Sequence, residues 1–275
     1  MSATVVTAFY PLSRSKHGVT KYMEWIQIFC KIPCSLVVFT DAATAPAIQA
    51  ARGDLPTHVI IKDFHLFNVT SPRMMRFWTR HHGVDPEARI HNPELYAVWA
   101  MKQECVRAAI AANPFSSEWF VWCDIGIQRI PDKQGLYMNF PNRVSALCEP
   151  GRIAFLEVGN IPPAFHDHWA RKARGPMPWP APSVSLGGGC IAGDAAAWED
   201  FGCAYLKMLE TFDERKWFAG KDQIVYLAML IERATEKPFR LFRATAHAGL
   251  DHWMSFPVIL GGDAPADLDT RFETA

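Results

Sequence analysis

Short apolar runs alternate with amphipathic stretches along the first half of the chain. Runs at residues 4–10, 35–41 and 57–63 are rich in β-branched and aromatic residues, which is typical of buried strands. From Tyr22 to Cys30 the apolar residues recur at helical spacing. Strands that alternate with helices favour a parallel sheet that is covered by helices on both faces.

The clearest helix start in the chain follows a stretch that is difficult to interpret. Residues 64–91 are dense in arginine, histidine and tryptophan and show no clean period, so they predict a loop with a short helix. Asn92 can then cap a helix, Pro93 suits its first position, and Glu94 favours the positive end of the helix dipole. This helix is predicted to end at Asn113.

The second half of the chain predicts the remaining elements of a single α/β domain. In order they are strands at 119–123, 152–158, 184–194 and 239–243, helices at about 195–212 and 222–235, and a tail with acidic residues and proline. The connection at 160–182 is long, as is typical of a binding loop or lid. The sequence contains no internal repeat and no low-complexity linker.

Composition and charge exclude several classes of protein. With 49% hydrophobic and 20% charged residues in a chain of 275, the sequence is typical of a globular protein rather than a disordered one. Its formal net charge is zero, which gives no general attraction to nucleic acid or to anionic membranes. We therefore expect no nucleic-acid partner.

Cysteine usage and the apolar pattern bear on cellular location. The seven cysteines form no Cys-x-x-Cys pair, so they predict free thiols in a reducing compartment rather than a disulfide framework or a zinc site. No apolar run reaches the roughly 18 residues of a transmembrane span. The amino terminus has no basic residue ahead of its apolar part, so no signal peptide is predicted. We expect a cytoplasmic protein without a transmembrane segment.

One carboxylate follows an especially apolar strand. In the stretch SSEWFVWCDIGIQR, Asp124 comes directly after residues 119–123, and Gly126 follows two positions later. Burying a lone carboxylate costs several kcal/mol, so a partner is expected beside Asp124. Ligands of open α/β sheets bind beyond the carboxyl ends of the strands, although a turn role stays equally open. Three other acidic residues also stand at or near strand ends, and a turn role explains each: Asp41, Asp63 and Glu157.

Five stretches of the sequence resemble the HtrL/YibB family of bacterial proteins, which look like glycosyltransferases of the GT-A type. They are TVVTAFYPLSR, VVFTD, NPFSSEWFVWCDIGIQR, GGGCIAGDAAAW and KDQIVYLAML. The resemblance implies one GT-A-like domain over residues 1–275, a three-layer α/β/α arrangement with a mostly parallel central sheet. It also implies a nucleotide-sugar-binding half at about 1–130, an acceptor-side half at about 131–260, and a tail at 261–275.

The resemblance implies a divalent metal, with one departure from the usual motif. GT-A enzymes hold Mn²⁺ or Mg²⁺ with an Asp-x-Asp motif, and the metal neutralises the departing diphosphate. Here Asp124 matches the first carboxylate, while Gly126 stands at the second. A histidine near the carboxyl end could complete the metal site, and His247 is preferred over His252 because it closely follows the last predicted strand. Alternatively, basic side chains replace the metal, and the candidates are Arg14, Lys16, Arg73, Arg76, Arg80 and Lys102.

The resemblance also implies the residues that contact the nucleotide-sugar. Thr7, Tyr10 and Arg14 correspond to the place where the base and ribose are held, and Asp41 is a further candidate for base or ribose. Lys102 could reach the diphosphate or the donor sugar. Purely structural roles stay open for two of these residues, since Tyr10 could belong to the core and Lys102 to a solvated helix face.

Two glycines and a second aspartate complete the predicted site. Gly188 and Gly189 would let the backbone approach the sugar closely, because they carry no side chain. Asp222 opens a predicted helix at a position that in GT-A proteins often faces the acceptor hydroxyl, so it is the candidate base. A helix-cap role would also explain Asp222.

These residues imply a hexosyltransferase-like glycosyltransferase. It would move a sugar from a nucleotide-diphosphate donor, with UDP-sugars expected, to a saccharide or another hydroxyl acceptor. The absent second carboxylate keeps an alternative open, a non-catalytic protein that binds nucleotide or carbohydrate through a degenerate GT-A site. A nucleotide-sugar hydrolase, which would use water as its acceptor, is a third possibility.

Overall fold

Strands and helices alternate along most of the chain. The computed structural model describes residues 2–12, 14, 17–170, 184–245 and 250–272. Its strands are β1 (Ala3–Phe9), β2 (Ser35–Thr40), β3 (Thr57–Ile61), β4 (Trp119–Cys123), β5 (Ala154–Glu157), β6 (Leu186–Asp194), β7 (Arg240–Ala244) and β8 (Ala266–Asp269). Its α-helices are α1 (Val19–Phe29), α2 (Ala45–Arg52), α3 (Pro72–His82), α4 (Pro93–Ala100), α5 (Lys102–Ala112), α6 (Val144–Leu147), α7 (Pro163–Ala170), α8 (Ala195–Arg215), α9 (Asp222–Ile231) and α10 (Phe256–Gly261).

The strands form one mixed sheet in the order β3-β2-β1-β4-β6-β5-β7-β8. Within the described residues, four neighbouring pairs are parallel and three are antiparallel, and β6 runs against both of its neighbours. The predicted mixed α/β class with a mostly parallel sheet is therefore confirmed. Strand order reverses at β1, since β2 and β3 lie on one side of it and β4 on the other.

Apolar side chains fill both faces of the sheet, because successive residues of a strand point to opposite faces. In β1, Val6 belongs to the larger buried cluster, together with Trp198 of α8. Val5 belongs to a second buried cluster on the other face, together with Ile26 of α1. Helices therefore cover the sheet from both sides, which is the layered arrangement that the alternating pattern predicts.

The helix predicted to run from Asn92 to Asn113 is two helices. The Asn92 side chain does cap α4 and accepts a hydrogen bond from the Leu95 amide at 2.8 Å. The chain then tightens at Met101, whose ψ is −14°, and α5 begins at Lys102. The division places Lys102 at the start of its helix, and there its side chain enters the interior of the protein.

Three other predictions for the course of the chain need correction. Within residues 64–91, where a loop with a short helix was predicted, the structure forms the 11-residue helix α3, whose bounds the dense arginines and histidines obscured in the sequence. The predicted loop at 160–182 contains α7, and its part from 171 onward lies outside the described residues. The predicted tail at 261–275 contains β8, which pairs with β7.

Two further observations concern the helices and the thiols. Among the described residues, every helix is too short or too polar to cross a membrane. All seven cysteines lie in the described parts of the chain, and each is a free thiol. Six of them are buried, and Cys203 is exposed.

Candidate functional site

A cavity of about 240 Å³ opens beyond the carboxyl ends of β1 and β4. Residues 8–12 line one side, and Asp124 and the three residues after it line the other. The first turn of α1 and the face of α4 that bears Trp99 complete much of the wall. These two strands flank the point where strand order reverses, which is where open α/β sheets bind their ligands.

A buried lysine joins two predicted site residues below this cavity. The Lys102 ammonium lies 2.8 Å from Asp222 Oδ2 and 3.5 Å from Asp124 Oδ1, and it donates a hydrogen bond to the Gly188 carbonyl at 2.7 Å. The side chains of Lys102 and Asp222 are only 4% and 5% exposed, whereas that of Asp124 is 43% exposed. Among the described residues, Asp124 is the one carboxylate that lines the cavity.

The surroundings of Asp124 fix its orientation and shift its ionisation. The Trp122 indole donates to Asp124 Oδ1 at 2.7 Å, and the Asp124 amide donates to the Gly189 carbonyl at 2.7 Å. Desolvation raises the pKa of Asp124, although Lys102 and Trp122 act in the opposite direction. A raised pKa makes Asp124 a stronger base than an ordinary aspartate.

Lys102 stays protonated in this environment. Burial alone would lower the pKa of Lys102, but the Asp124 and Asp222 carboxylates outweigh that effect, and the pKa is raised overall. The charge of Asp222 is further satisfied by the Tyr226 hydroxyl, which donates to it at 3.2 Å. Lys102, which lines the cavity, and Asp222, which does not, therefore form a compensated ion pair.

The two predicted glycines lie in β6, opposite these charged groups. A Cβ at Gly188 would lie 2.9 Å from Asp222 Oδ2, so only glycine leaves room for the ion pair there. Gly189 lines the cavity, and a Cβ on it would lie 3.6 Å from Asp124 Oδ2. The structure thus brings four of the predicted site residues into one cluster with Lys102.

The predicted contacts from β1 differ in their placement. Tyr10 lines the cavity, and its hydroxyl donates to the Lys62 carbonyl at 2.9 Å while its ring packs against Phe64 and Phe67. Thr7 is fully buried within the strand and does not line the cavity. Its hydroxyl has no hydrogen-bond partner among the described residues.

Two other predicted contacts have local roles outside the cavity lining. Asp41 accepts a hydrogen bond from the Thr44 amide at 2.7 Å, which is the turn role that the sequence left open. The Arg14 side chain donates to the Arg89 carbonyl. Neither Asp41 nor Arg14 lines the cavity.

The remaining basic and histidine candidates are distributed as follows. His247 and Lys16 lie outside the described residues. Arg80 pairs with Asp213 at 3.0 Å, and the His252 ring bonds to the Val158 carbonyl at 2.9 Å. Arg73 and Arg76 lie on α3, and neither they nor Arg80 or His252 line the cavity. Of these candidates Lys102 is the cavity-lining one within the described chain.

Residues that the sequence did not single out also line the cavity. The polar ones are His17, Arg129 and Gln223, and the large aromatic ones include Tyr22, Trp99 and Trp253. Arg129 stands in the same conspicuous stretch as Asp124. Arg129 lies five residues after Asp124, and the sequence gave no signal that its side chain returns to the site, because its position depends on the loop after β4.

Among the described residues, one group could hold a metal ion, and its members do not line the cavity. Asp85, Glu87 and His91 place one ligand atom each within 4.8 Å of one another. Each already has a partner. The His91 ring lies 2.7 Å from Asp85, the Tyr96 hydroxyl donates to Asp85, and Lys221 pairs with Glu87. A metal would have to displace these contacts.

The described residues offer the cavity one carboxylate that could hold a hard cation, that of Asp124. Mn²⁺ or Mg²⁺ bound there would take most of its oxygen ligands from a bound ligand and from water. Asp222 is engaged by Lys102, and His247 falls outside the described residues. The metal at Asp124 stays a prediction.

Comparisons with known proteins give little beyond this geometry. A scan against protein-family models finds no match, and a search of curated proteins finds none either. Among solved structures, the chain is similar to mouse xyloside xylosyltransferase 1 in its apo form, with 9% sequence identity over 85% of this chain and 83% of that chain. The TM-score is 0.39, and at that value the likeness assigns neither family nor activity. Membership of the HtrL/YibB family and the GT-A type stay predictions.

Proposed function

We propose that this chain is a glycosyltransferase. In this proposal it transfers a sugar from a nucleoside diphosphate donor, with UDP-sugars as the first candidates, to a hydroxyl acceptor. The observation that carries the proposal is the position of Asp124, which is presented to a cavity at the reversal of strand order and held by a buried lysine. The sequence resemblance to GT-A-type proteins supports the same assignment.

The walls of the cavity suit a ligand with flat rings and a small charged part. Phe9, Tyr10, Trp99 and Trp253 give it aromatic faces, against which a nucleobase or a sugar ring can pack. Within the described chain, its charged side chains are Lys102, Asp124 and Arg129. This division matches a nucleotide-sugar, whose base and sugar flank a charged diphosphate.

Asp124 acts as the general base in the proposed reaction. Its carboxylate accepts the proton of the acceptor hydroxyl as the acceptor oxygen bonds to the anomeric carbon. The bond between that carbon and the diphosphate oxygen breaks, and its electron pair leaves with the diphosphate. A raised pKa suits this role, because a general base works best when its pKa approaches the working pH.

Lys102 and Asp222 support Asp124 in this proposal. Lys102 holds the Asp124 carboxylate at 3.5 Å, and Asp222 holds Lys102 at 2.8 Å. Asp222 therefore acts through Lys102 as a positioning residue in the described arrangement. The prediction that Asp222 itself meets the acceptor would require its carboxylate to leave Lys102.

A second candidate function is a binding protein without catalysis. The observation that favours it is that Asp222 is sealed from the cavity by its ion pair, so the described residues leave Asp124 as the only carboxylate at hand. Such a protein would bind a nucleotide or a saccharide in the same cavity without turning it over.

The test is a screen for nucleotide release. The protein is incubated with UDP-, GDP- and CDP-sugars, with and without a mixture of saccharide acceptors, and the free nucleoside diphosphate is measured. Acceptor-dependent release from one donor, lost in Asp124→Asn, supports the transferase. Release that is equal without acceptor indicates a hydrolase, and binding of a nucleotide without release supports the second candidate.

A further inference from the structure

Packing is tight at the position of the missing second carboxylate beside Asp124. A Cβ built at Gly126 would lie 3.3 Å from Trp25 Cε3 and 3.5 Å from Tyr22 Cε1. Trp25 is buried and packs edge-on against Tyr22, so a side chain at 126 would require the Trp25 ring to move by a few tenths of an ångström. Packing therefore disfavours a carboxylate at the position where a GT-A enzyme carries its second metal-binding one.

The same backbone position secures an arginine instead. The Gly126 carbonyl accepts a hydrogen bond from Arg129 Nε at 2.7 Å, and the Arg129 guanidinium lies 4.4 Å from the centroid of the Trp25 ring. Stacking on an aromatic face and one fixed hydrogen bond hold the guanidinium plane in place. The terminal nitrogens Nη1 and Nη2 have no partner among the described residues, and Arg129 lines the cavity.

The charge balance of the cavity singles out this arginine. Lys102 is compensated by Asp124 and Asp222, and its ammonium is almost completely buried. Among the described residues that line the cavity, Arg129 is the cation without a carboxylate partner. A diphosphate brings at least two negative charges, so it needs a cation that is not already neutralised.

We propose that Arg129 binds the diphosphate of the donor and takes the charge-neutralising role that a metal ion would otherwise fill. This inference rests on the proposed function and deepens it. The fork of Nη1 and Nη2 matches two phosphate oxygens, and its charge stabilises the diphosphate as the bond to the sugar breaks. Donor binding is then independent of divalent metal.

The test measures binding of inorganic pyrophosphate, UDP, GDP, CDP and uridine by calorimetry, each in EDTA and in Mn²⁺. The proteins are the wild type, Arg129→Gln, Arg129→Lys and Lys31→Gln. Lys31 is exposed just past the end of α1, away from the cavity, so its variant removes one positive charge as a matched control.

We expect pyrophosphate and one nucleoside diphosphate to bind the wild type in EDTA. Arg129→Gln should weaken both by about 10- to 100-fold, the range for loss of charged hydrogen bonds. Arg129→Lys should lie between, because it keeps the charge and loses the fork. If UDP is the nucleotide bound, the Arg129 variants should bind uridine as tightly as the wild type does. Lys31→Gln should match the wild type with every ligand.

The other outcomes separate this inference from the proposed function. Nucleotide binding and turnover that need Mn²⁺ and are unchanged in Arg129→Gln would overturn the inference and keep the transferase. Pyrophosphate binding that depends on Arg129, without preference for any nucleotide or any turnover, would keep the inference and count against the transferase. No binding of pyrophosphate or of any nucleotide would overturn the inference.

Discussion

Two clusters of paired charges stand on the same sheet and differ in which sign of charge is exposed to solvent. The cavity cluster consists of Lys102, Asp124 and Asp222. The sheet-edge cluster, around β5, β7 and β8, consists of Glu157, Asp269, Arg243 and Arg271. In the latter, Arg243 lies 2.9 Å from Glu157 and 3.2 Å from Asp269, and Arg271 lies 3.2 Å from Glu157 and 2.6 Å from Asp269.

The exposed partner decides what each cluster can do. In the sheet-edge cluster the carboxylates of Glu157 and Asp269 are 3% and 1% exposed, and the arginines that cover them are 44% and 42% exposed. In the cavity cluster the cation is buried and one carboxylate is exposed. In the sheet-edge cluster two arginines cover both carboxylates, whereas in the cavity cluster Lys102 leaves the Asp124 carboxylate accessible to a ligand.

The pKa shifts alone do not separate the two clusters. Desolvation raises the pKa of Glu157, with Asp269 adding to the effect and Arg243 opposing it, and desolvation raises the pKa of Asp124 as well. A perturbed carboxylate is a candidate for function only when it also faces a cavity. Asp124 meets that condition and Glu157 does not.

Asp124→Asn should have the largest effect on function. The amide keeps the acceptor for the Trp122 indole but cannot take a proton, so nucleotide release should fall by about 10²- to 10⁴-fold. The melting temperature should stay within a few degrees. Steady-state kinetics and thermal melts measure both. An unchanged rate would mean that the cavity cluster has only a structural role, like the sheet-edge cluster.

Lys102→Met should have the largest effect on stability. The substitution leaves Asp222 buried without its cation, which costs about 3–5 kcal/mol of unfolding free energy. Urea denaturation measures the change. The matched control is Lys62→Met, because Lys62 is part-exposed and pairs with Glu104 at 3.4 Å, so about 0–1 kcal/mol is expected there. Equal losses in both variants would contradict the compensating role of Lys102.

Arg243→Gln should weaken the sheet-edge cluster and leave catalysis intact. With Arg271 still in place, the loss of unfolding free energy at pH 7 should be about 1–2 kcal/mol. Removing Arg243 leaves the raised pKa of Glu157 without one opposing charge, so the folded variant binds a proton more readily than the unfolded chain. Its stability therefore falls as pH rises above about 4.5, and the deficit should shrink toward that pH.

Denaturation of Arg243→Gln at several pH values between 4 and 7 measures this dependence. Arg80→Gln is the matched control, since Arg80 and Asp213 form an exposed pair that should contribute about 0–1 kcal/mol at any of these pH values. A deficit that stays constant across the range would contradict the raised pKa of Glu157 at the sheet edge.

Gly188→Ala should have the smallest of these effects. The new methyl group would approach Asp222 Oδ2 to 2.9 Å, so the ion pair with Lys102 must shift, and the rate should fall about tenfold with little change in stability. Gly135→Ala is the control, because a Cβ there meets nothing within 4 Å. An unchanged rate in Gly188→Ala would show that the position of the ion pair does not matter to the site.

Local sequence patterns predicted the strands and helices better than the boundaries between them. The strand that ends before Asp124 and the helix capped by Asn92 both lie where the sequence places them. The division at Met101 and the bounds of α3 were not predicted, because the first depends on how Lys102 enters the core and the second on which side of a mixed polar segment becomes buried.

The candidate site was predicted in part for the same reason. Asp124 stood out because a carboxylate after a buried strand needs a partner, and the resemblance pointed to Lys102, Asp222 and the two glycines. Their mutual contacts could not be predicted, since Lys102 and the Gly188 carbonyl are 86 residues apart in the chain. Arg129 was missed because its position depends on Trp25 of a distant helix.

The sequence by itself determined the alternation of strands and helices, the capped start of α4 and the carboxylate at the end of β4. Those features follow from periodicity and chemistry within a few residues. Only the tertiary structure decided that Lys102 joins Asp124 to Asp222, that a side chain at Gly126 would press on Trp25, and that Arg129 lines the cavity. These depend on packing between distant segments, which no local pattern encodes.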